Sequence, residues 1–433
     1  MEISELYRIF KQHPIVTTDS RDCPKDSIFF ALKGASFNGN AFAKTAIEKG
    51  CAYAVVDEKE YLPEGDDRFI LVDDCLRALQ KLANYHRRHL GTKIIGITGT
   101  NGKTTTKELV ATVLQKKYNV LFTQGNFNND IGVPKTLLRL KGEHEIAVVE
   151  MGASHPGDIK TLVDIVEPDC GIITNVGKAH LQGFGSFEGV IRTKGELYDF
   201  LREHDGEVFI DNGNKYLGSI ASGLHLIKYG TDTDDPSLSV SGCVTSCSPF
   251  LNFRWRKAGG NWHDVETHLI GSYNIYNMLA AACIANRFGV ADTDISDALR
   301  DYIPTNNRSQ LDVTPYNKLI VDTYNANPTS MKAALENFKL MQAEPKMAIL
   351  GDMRELGESS LEEHQRVVDF LQECNISNVW LVGEEFGKTN CPFRKFNNVE
   401  EVKAEIAAKR PEGFYILIKG SNGIKLFQLP EML

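Results

Sequence analysis

Among these 433 residues no apolar run is long enough to span a bilayer, which takes about 20 predominantly apolar residues in a helix. Residues 1–7 also lack the basic flank and following apolar core of a secretory leader, so a cytoplasmic protein without membrane insertion is expected. The nine cysteines include no C-x-x-C pair; the nearest two, Cys243 and Cys247, have no second pair to complete a zinc site. Reduced, mostly buried thiols are the expectation. No long Lys/Arg block offsets the formal charge of -9, which argues against broad nucleic-acid binding and leaves room only for a local basic pocket. Short internal repeats and low-complexity segments are missing too. At 42% apolar and 24% charged, the chain has the composition of a globular protein with a substantial core, and its length suggests two to four domains.

What is present is concentrated in Gly96-Ile97-Thr98-Gly99-Thr100-Asn101-Gly102-Lys103-Thr104-Thr105-Thr106. An apolar strand over residues 93–97 breaks into a glycine turn and then a helix. Gly99 and Gly102 let backbone N–H groups turn inward, and the helix beginning near Lys103 aims its positive dipole end at the same point. Lys103 would reach the outer phosphates of a nucleoside triphosphate, and the Thr104 hydroxyl would ligate magnesium. In the common G-x-x-x-x-G-K-[ST] pattern the first glycine falls at position 97, where Ile97 stands. The loop therefore indicates a triphosphate more clearly than it indicates an enzyme.

Around this loop the pattern is α/β. Residues 27–57 read as a small module of strand, helix and strand, and a helix over residues 75–89 precedes a boundary near residue 90. Strands and helices then alternate through Lys194, which implies a parallel sheet covered on both faces. Residues 226–270 are strand-rich, a helix follows over residues 274–287, and a second boundary falls near Pro304. Beyond it four apolar runs, each followed by a helical stretch, predict another doubly wound sheet. The expected domains are residues 1–90, 91–304 and 305–433: a small N-terminal α/β domain, a central phosphate-loop mononucleotide-binding domain with a parallel sheet, and a C-terminal Rossmann-like domain.

Ligands bind at strand ends in such sheets, which draws attention to Glu150 after the run 146–149, to His180 beyond residues 171–173, and to Lys194. Glu150 is an oxygen donor suited to magnesium, directly or through water. Taken singly, His180 fits a structural histidine and Lys194 a solvated lysine.

The segment Thr98-Gly99-Thr100-Asn101-Gly102-Lys103-Thr104-Thr105 resembles the ATP loop of the Mur ligases, whose pattern accounts for the irregular glycine spacing. The resemblance extends to Asp19-Ser20-Arg21 with Phe29-Phe30-Ala31-Leu32-Lys33-Gly34, to residues 125–134, to Tyr324-Asn325-Ala326-Asn327-Pro328, to residues 350–357 and to Lys419-Gly420-Ser421. It implies an ADP-forming peptide ligase of peptidoglycan precursor synthesis that joins D-alanyl-D-alanine to UDP-N-acetylmuramoyl-tripeptide. ATP would phosphorylate the peptide carboxylate and an amine would displace phosphate. Under the resemblance Lys103, Glu150, His180 and Lys194 are catalytic; Gly99, Thr100, Asn101, Gly102, Lys103, Thr104, Thr105, Asn274, Arg308 and Asp322 bind ATP. Thr104 and Glu150 would hold one Mg2+ ion, His180 a second, and Lys194 would be carbamylated to support that metal site. Ser20, Arg21, Asn128, Asn129 and Asn325 would contact substrate. Asp-Ser-Arg also fits a capping turn, Asn128 and Asn129 fit ordinary turn formers, Asn274 fits a helix N-cap, and Arg308, Asp322 and Asn325 fit surface polar groups. The chain departs from the family at Tyr273, where His is usual, at Val321 and Thr323 around Asp322, and at Asn38-Gly39-Asn40. Two other readings stay open: the related ligase that adds the third, diamino acid residue, whose Asp-Asn-Pro-Arg segment is missing here, and a non-catalytic ATP-binding switch. A monomer is expected, with its C-terminal domain swinging toward the phosphate loop when ATP binds.

Overall fold

A computed structural model describes all residues except Asn306, Asn307, Ser309, Asn375 and Ser377. By their contacts the residues form two units, the first comprising Met1–Ile97, Tyr118–Ala153 and Gly157–Gly171, the second Thr98–Lys117, Ser154–Pro156 and Ile172–Leu433.

The first unit holds a four-stranded parallel sheet in the order Val16–Thr17, Ile28–Phe30, Tyr53–Val56, Phe69–Leu71. The two apolar runs read from the sequence are its central strands, fully apolar because helices cover them. Helix Cys75–Leu90 starts where the Asp74 carboxylate accepts the N–H of Arg77 at 2.8 Å and stops at Gly91 in the left-handed conformation. The same unit contains a parallel trio in which Ile146–Glu150 lies between the strand Lys93–Thr98 and Val120–Phe122. All five residues of the middle strand are buried, so it reads as a continuous apolar run ending in a carboxylate.

In the second unit Glu207–Asp211 and His225–Gly230 pair in parallel. Val240–Cys247, Phe250–Lys257 and His263–Ile270 then form an antiparallel meander. Phe250–Lys257 shows the period-two pattern of a half-covered strand, with Leu251, Phe253 and Trp255 turned inward. Helix Ile275–Arg287 is buried on nearly every side, and its Ala280, Ala281, Ala282 and Ala285 leave room for the close approach of neighbouring elements.

The C-terminal sheet has the order Gln310–Val313, Lys318–Asp322, Tyr415–Lys419, Lys346–Gly351, Asn378–Val382, Arg394–Phe396, parallel except for the first strand. Alternate residues enter two cores. Ile320, Ala348, Leu350 and Leu417 join the core holding Met331, Leu335, Val368 and Leu371, whereas Leu319, Val321, Ile349, Ile416 and Ile418 join the one holding Val402 and Ile406. Helices Pro328–Leu340 and Ser360–Glu373 thus cover one face and Val399–Ala408 the other. This is the doubly wound domain expected, with two edge strands that the apolar pattern did not reveal. Among the described residues no helix is long and apolar enough to cross a membrane. All nine cysteines are free, five of them buried.

Candidate active site

The phosphate loop is shaped by two close approaches. Gly99 has φ 145°, and a Cβ there would stand 2.0 Å from Thr174 Oγ1; Gly102 has φ 78°, and a Cβ there would stand 2.6 Å from Asn277 Oδ1. Glycine is required at both. Thr174 and Asn175, just past the strand Cys170–Ile173, lace the loop down. The Thr174 hydroxyl and the Asn175 amide donate to the Asn101 carbonyl at 2.6 and 2.9 Å. The Asn101 N–H returns to Asn175 Oδ1 at 3.0 Å. Helix Lys103–Leu114 begins directly at Gly102 with no side-chain cap, so its positive end is presented to an anion rather than neutralised by a neighbouring side chain. Lys103 Nζ folds over the loop and donates to the carbonyls of Gly99 (2.8 Å) and Thr100 (3.1 Å). Thr104 and Thr105 lie in the buried first turn.

Behind the loop stands a residue that the sequence reading passed over. Asn277 accepts from the Thr106 hydroxyl at 3.1 Å and donates to Asn274 Oδ1 at 2.7 Å, while Asn274 Nδ2 donates to the Ile270 carbonyl at 2.8 Å. The 2%-exposed Asn274 therefore ties the end of a strand to the back of the phosphate loop, and its side chain does not cap the helix that follows. The spacing Asn-x-x-Asn at a helix start was the available signal, since residues three apart share a helical face. Beside this helix lies a cavity of about 660 Å³ lined by Ser272, Tyr273, Tyr276, Ala333 and Asn337, among others.

His180, Lys194 and Lys103 come together. His180 starts a short helix, Leu181–Phe184, whose Phe184 ring lies 6.2 Å from the imidazole and 5.5 Å from Lys194 Nζ, centroid distances in both cases. Lys194 is buried because Ser186 caps helix Phe187–Glu203 in a phase that turns this position inward. The Nδ1 of His180 hydrogen-bonds Glu355 Oε2. Burial lowers the His180 pKa below its ordinary 6.5, the Glu355 carboxylate opposes that shift, and the Lys103 and Lys194 ammoniums add to it.

One C-terminal side chain, that of Asn327, bonds the same loop. Asn327 caps helix Pro328–Leu340, accepting the Ser330 N–H at 2.9 Å, and its Nδ2 donates to Asn101 Oδ1 at 2.8 Å. Lys178 pairs with Glu363 at 2.9 Å. Asp322 and Lys419 end adjacent parallel strands and form an ion pair at 2.6 Å, in which the lysine is almost wholly buried. Lys419 also donates to the Asn325 carbonyl at 3.3 Å, while Asn325 Oδ1 accepts the N–H of Ala326. The Arg308 guanidinium lies 3.9 Å from the centroid of the Tyr324 ring, a cation–π stack.

In the first unit Glu150 is 1% exposed, and its Oε1 accepts from Asn128 Nδ2 at 2.9 Å. Asn129 turns the chain: its Oδ1 accepts the N–H of Gly132 at 2.8 Å and of Ile131 at 3.3 Å at the start of helix Gly132–Leu137. Asp19 holds the backbone N–H and guanidinium of Arg21, which keeps its carboxyl well below the usual range, and the Ser20 carbonyl accepts Lys49 Nζ at 2.7 Å. Asn40, in the departing Asn-Gly-Asn segment, is buried and bonds Asp57 at 2.8 Å.

Among the described residues no cluster of three or more His, Cys, Asp or Glu side chains forms a ready-made metal cage. In the first unit the buried Glu150 carboxylate, and separately in the second the buried Thr104 hydroxyl, is a hard oxygen donor of the kind magnesium takes beside phosphate oxygens and water. The donor chemistry fits that ion.

A glycine loop opening an uncapped helix, followed by a doubly wound domain whose Asn327 touches that loop, defines a nucleotide-dependent enzyme of the ATP-loop class. Residues 14–87 match the Mur ligase family catalytic domain, 97–285 the Mur ligase middle domain, and 308–422 the Mur ligase glutamate ligase domain. The chain belongs to the Mur ligase family. It is 34% identical to the UDP-N-acetylmuramoyl-tripeptide--D-alanyl-D-alanine ligase of Bacillus subtilis (strain 168), over 96% of this chain and 92% of that one. The protein of the same description from Escherichia coli (strain K12) is 32% identical over 86% and 81% of the two chains. Among solved structures, MurF from Acinetobacter baumannii superposes with a TM-score of 0.85 at 31% identity, over 96% and 92% of the two chains. MurF ligase from Thermotoga maritima in complex with ADP gives 0.85 at 25% identity, over 97% of each chain.

Proposed function

We propose that the protein joins D-alanyl-D-alanine to UDP-N-acetylmuramoyl-tripeptide, with ATP converted to ADP and phosphate. The observation that carries this reading is the bond between Asn101 of the phosphate loop and Asn327 of the Tyr-Asn-Ala-Asn-Pro segment, which sets that segment against the nucleotide loop. The descriptions of the relatives support it.

A carboxylate is a poor acyl donor. Transfer of the γ-phosphoryl group to the peptide carboxylate forms an acyl phosphate and releases ADP; the amine of D-alanyl-D-alanine then attacks the carbonyl carbon and phosphate leaves. Lys103 exchanges its two loop carbonyls for the β- and γ-phosphate oxygens, and the N–H groups of the first helical turn meet the same anion. Mg2+ held through Thr104, with a second ion at His180, would neutralise charge on the transferring group. Asn128 holds the Glu150 carboxylate in place. Lys194, carbamylated, would supply an anionic oxygen beside His180; it is buried, with Nζ 5.5 Å from the centroid of the Phe184 ring. Asn274 would contact the adenine, and Arg308 and Asp322 would contribute to the nucleotide cleft. Ser20 and Arg21 contact the uridine nucleotide, Asn129 sets the turn that carries Asn128, and Asn325 lies in the cleft. We place domain boundaries near residues 90 and 304, in the gaps between the matched segments, and read the protein as a cytoplasmic monomer whose C-terminal domain closes on the loop.

The test is ADP release with UDP-tripeptide and D-alanyl-D-alanine supplied separately and together. Sustained turnover only with both is expected. Hydrolysis indifferent to the dipeptide would mean a switch instead, and turnover with a diamino acid on the UDP-dipeptide would mean the related ligase.

A further inference from the structure

We propose that Glu355 is a positioning residue that orients His180, so that docking of the C-terminal segment 352–357 completes the site beside the phosphate loop. The inference rests on the reading above, in which His180 is a metal ligand. Glu355 holds the His180 turn at two points: its carboxylate bonds Nδ1 of the imidazole, and its carbonyl accepts the N–H of Gln182 at 3.3 Å. Both partners sit in the left-handed region, His180 at φ 51° and Glu355 at φ 63°, where residues other than glycine are uncommon. Two such conformations meeting across 175 positions of sequence need a surrounding structure that over-determines them, and they cluster at sites of function.

That surrounding structure is present. The Arg354 N–H donates to Ser421 Oγ at 3.1 Å, and the Asp352 carboxylate accepts the N–H groups of Glu385 (3.0 Å) and Phe386 (2.9 Å). The carboxylate of Glu355 is thereby presented from a braced loop. Because a carboxylate takes the Nδ1 proton, the lone pair of the neutral ring lies on Nε2, the nitrogen left to face a metal ion. Lys178–Glu363 and the contact of Gly177 with Thr329, whose Oγ1 would be 2.9 Å from a Cβ on the glycine, hold the same turn from its other end. A turn held this way loses its metal-ready geometry when the C-terminal segment moves off.

The probe is Mn2+, titrated into the full chain by electron paramagnetic resonance with a non-hydrolysable ATP analogue present, alongside steady-state kinetics. Glu355→Ala is expected to weaken the looser Mn2+ site by about 10- to 100-fold and to lower kcat by a similar factor. KM for UDP-tripeptide should stay within about twofold, since a merely structural defect would move it as well. Glu355→Gln, which keeps shape and an acceptor but loses charge assistance, should fall between the parent and Glu355→Ala, at least about threefold weaker than the parent. Adding Glu355→Ala to His180→Ala should cost no further Mn2+ affinity, because the two act as one unit. Parent-like Mn2+ binding in Glu355→Gln and Glu355→Ala, with His180→Ala impaired, overturns the positioning role. Should His180→Ala also bind Mn2+ like the parent, it is the metal-ligand reading of His180 that falls.

Discussion

Replacing Gly102 with alanine tests whether the phosphate loop is built by close approach to Asn277. At φ 78° a Cβ costs about 1–2 kcal/mol. The new methyl would also stand 2.6 Å from Asn277 Oδ1, a side chain engaged with Thr106 at 3.1 Å and Asn274 at 2.7 Å. Displacing it forfeits one or two buried hydrogen bonds, each worth about 1 kcal/mol, for a total of about 2–4 kcal/mol. A loop without nucleotide escapes that strain by relaxing, so the whole penalty falls on the binding-competent conformation. Calorimetric titration with a non-hydrolysable ATP analogue should show Kd raised by about 30- to 1000-fold, with the far-ultraviolet circular dichroism unchanged. In an Asn277→Ala background the clash disappears and only the backbone term remains, so the same glycine substitution should cost about 5- to 30-fold. A loss below about threefold in the parent, or equal losses in the two backgrounds, would refute the reasoning.

Lys103→Ala should lower turnover by about 100-fold or more with the fold intact, because charge stabilisation at the transferring phosphoryl group is lost; activity within a few-fold of the parent would sink its assignment. Asp322→Ala leaves the Lys419 ammonium, 1% exposed, without its carboxylate and should destabilise the C-terminal sheet by about 3–5 kcal/mol. Faster hydrogen exchange in Lys318–Asp322 and Tyr415–Lys419 reads this out, and a change under about 1 kcal/mol contradicts it. His86 is buried, with Nε2–H donating to the Leu140 carbonyl at 3.0 Å and Nδ1 accepting from the Tyr7 hydroxyl at 3.2 Å. Burial lowers its pKa below 6.5, so the unfolded chain binds the proton more readily. Its contribution is present above pH 6.5 and is lost as pH falls through the lower folded value. Urea midpoints should decline over that window in the parent and more shallowly in His86→Gln; equal slopes would exclude His86 as the source.

The legible parts of this chain were the local ones. A strand, a glycine turn and a helix within a dozen residues announce themselves because backbone φ, side-chain periodicity and helix-end electrostatics act over neighbouring positions, so the strand, the turn at Gly99 and Gly102 and the helix from Lys103 are legible from residue types alone. The apolar runs 319–321, 348–350 and 415–418 likewise declared buried parallel strands. The edge strands Gln310–Val313 and Arg394–Phe396 did not, because an edge strand need not be apolar on both faces.

Tertiary structure decided the partners of those residues. Asn129 Oδ1 accepts the N–H of Gly132 at a turn, whereas its neighbour Asn128 donates to Glu150. Glu355 of the motif at residues 350–357 meets His180, and Asn277 packs against Gly102, contacts that neither motif nor spacing specifies. By itself the sequence determined a phosphate-loop α/β chain, its family and the residues of the loop, since those follow from short-range stereochemistry and motif. Where Asn277 braces Thr106, where Glu355 meets His180 and where Asp322 pairs with the buried Lys419 depended on contacts 171, 175 and 97 positions apart, for which local propensity carries no information.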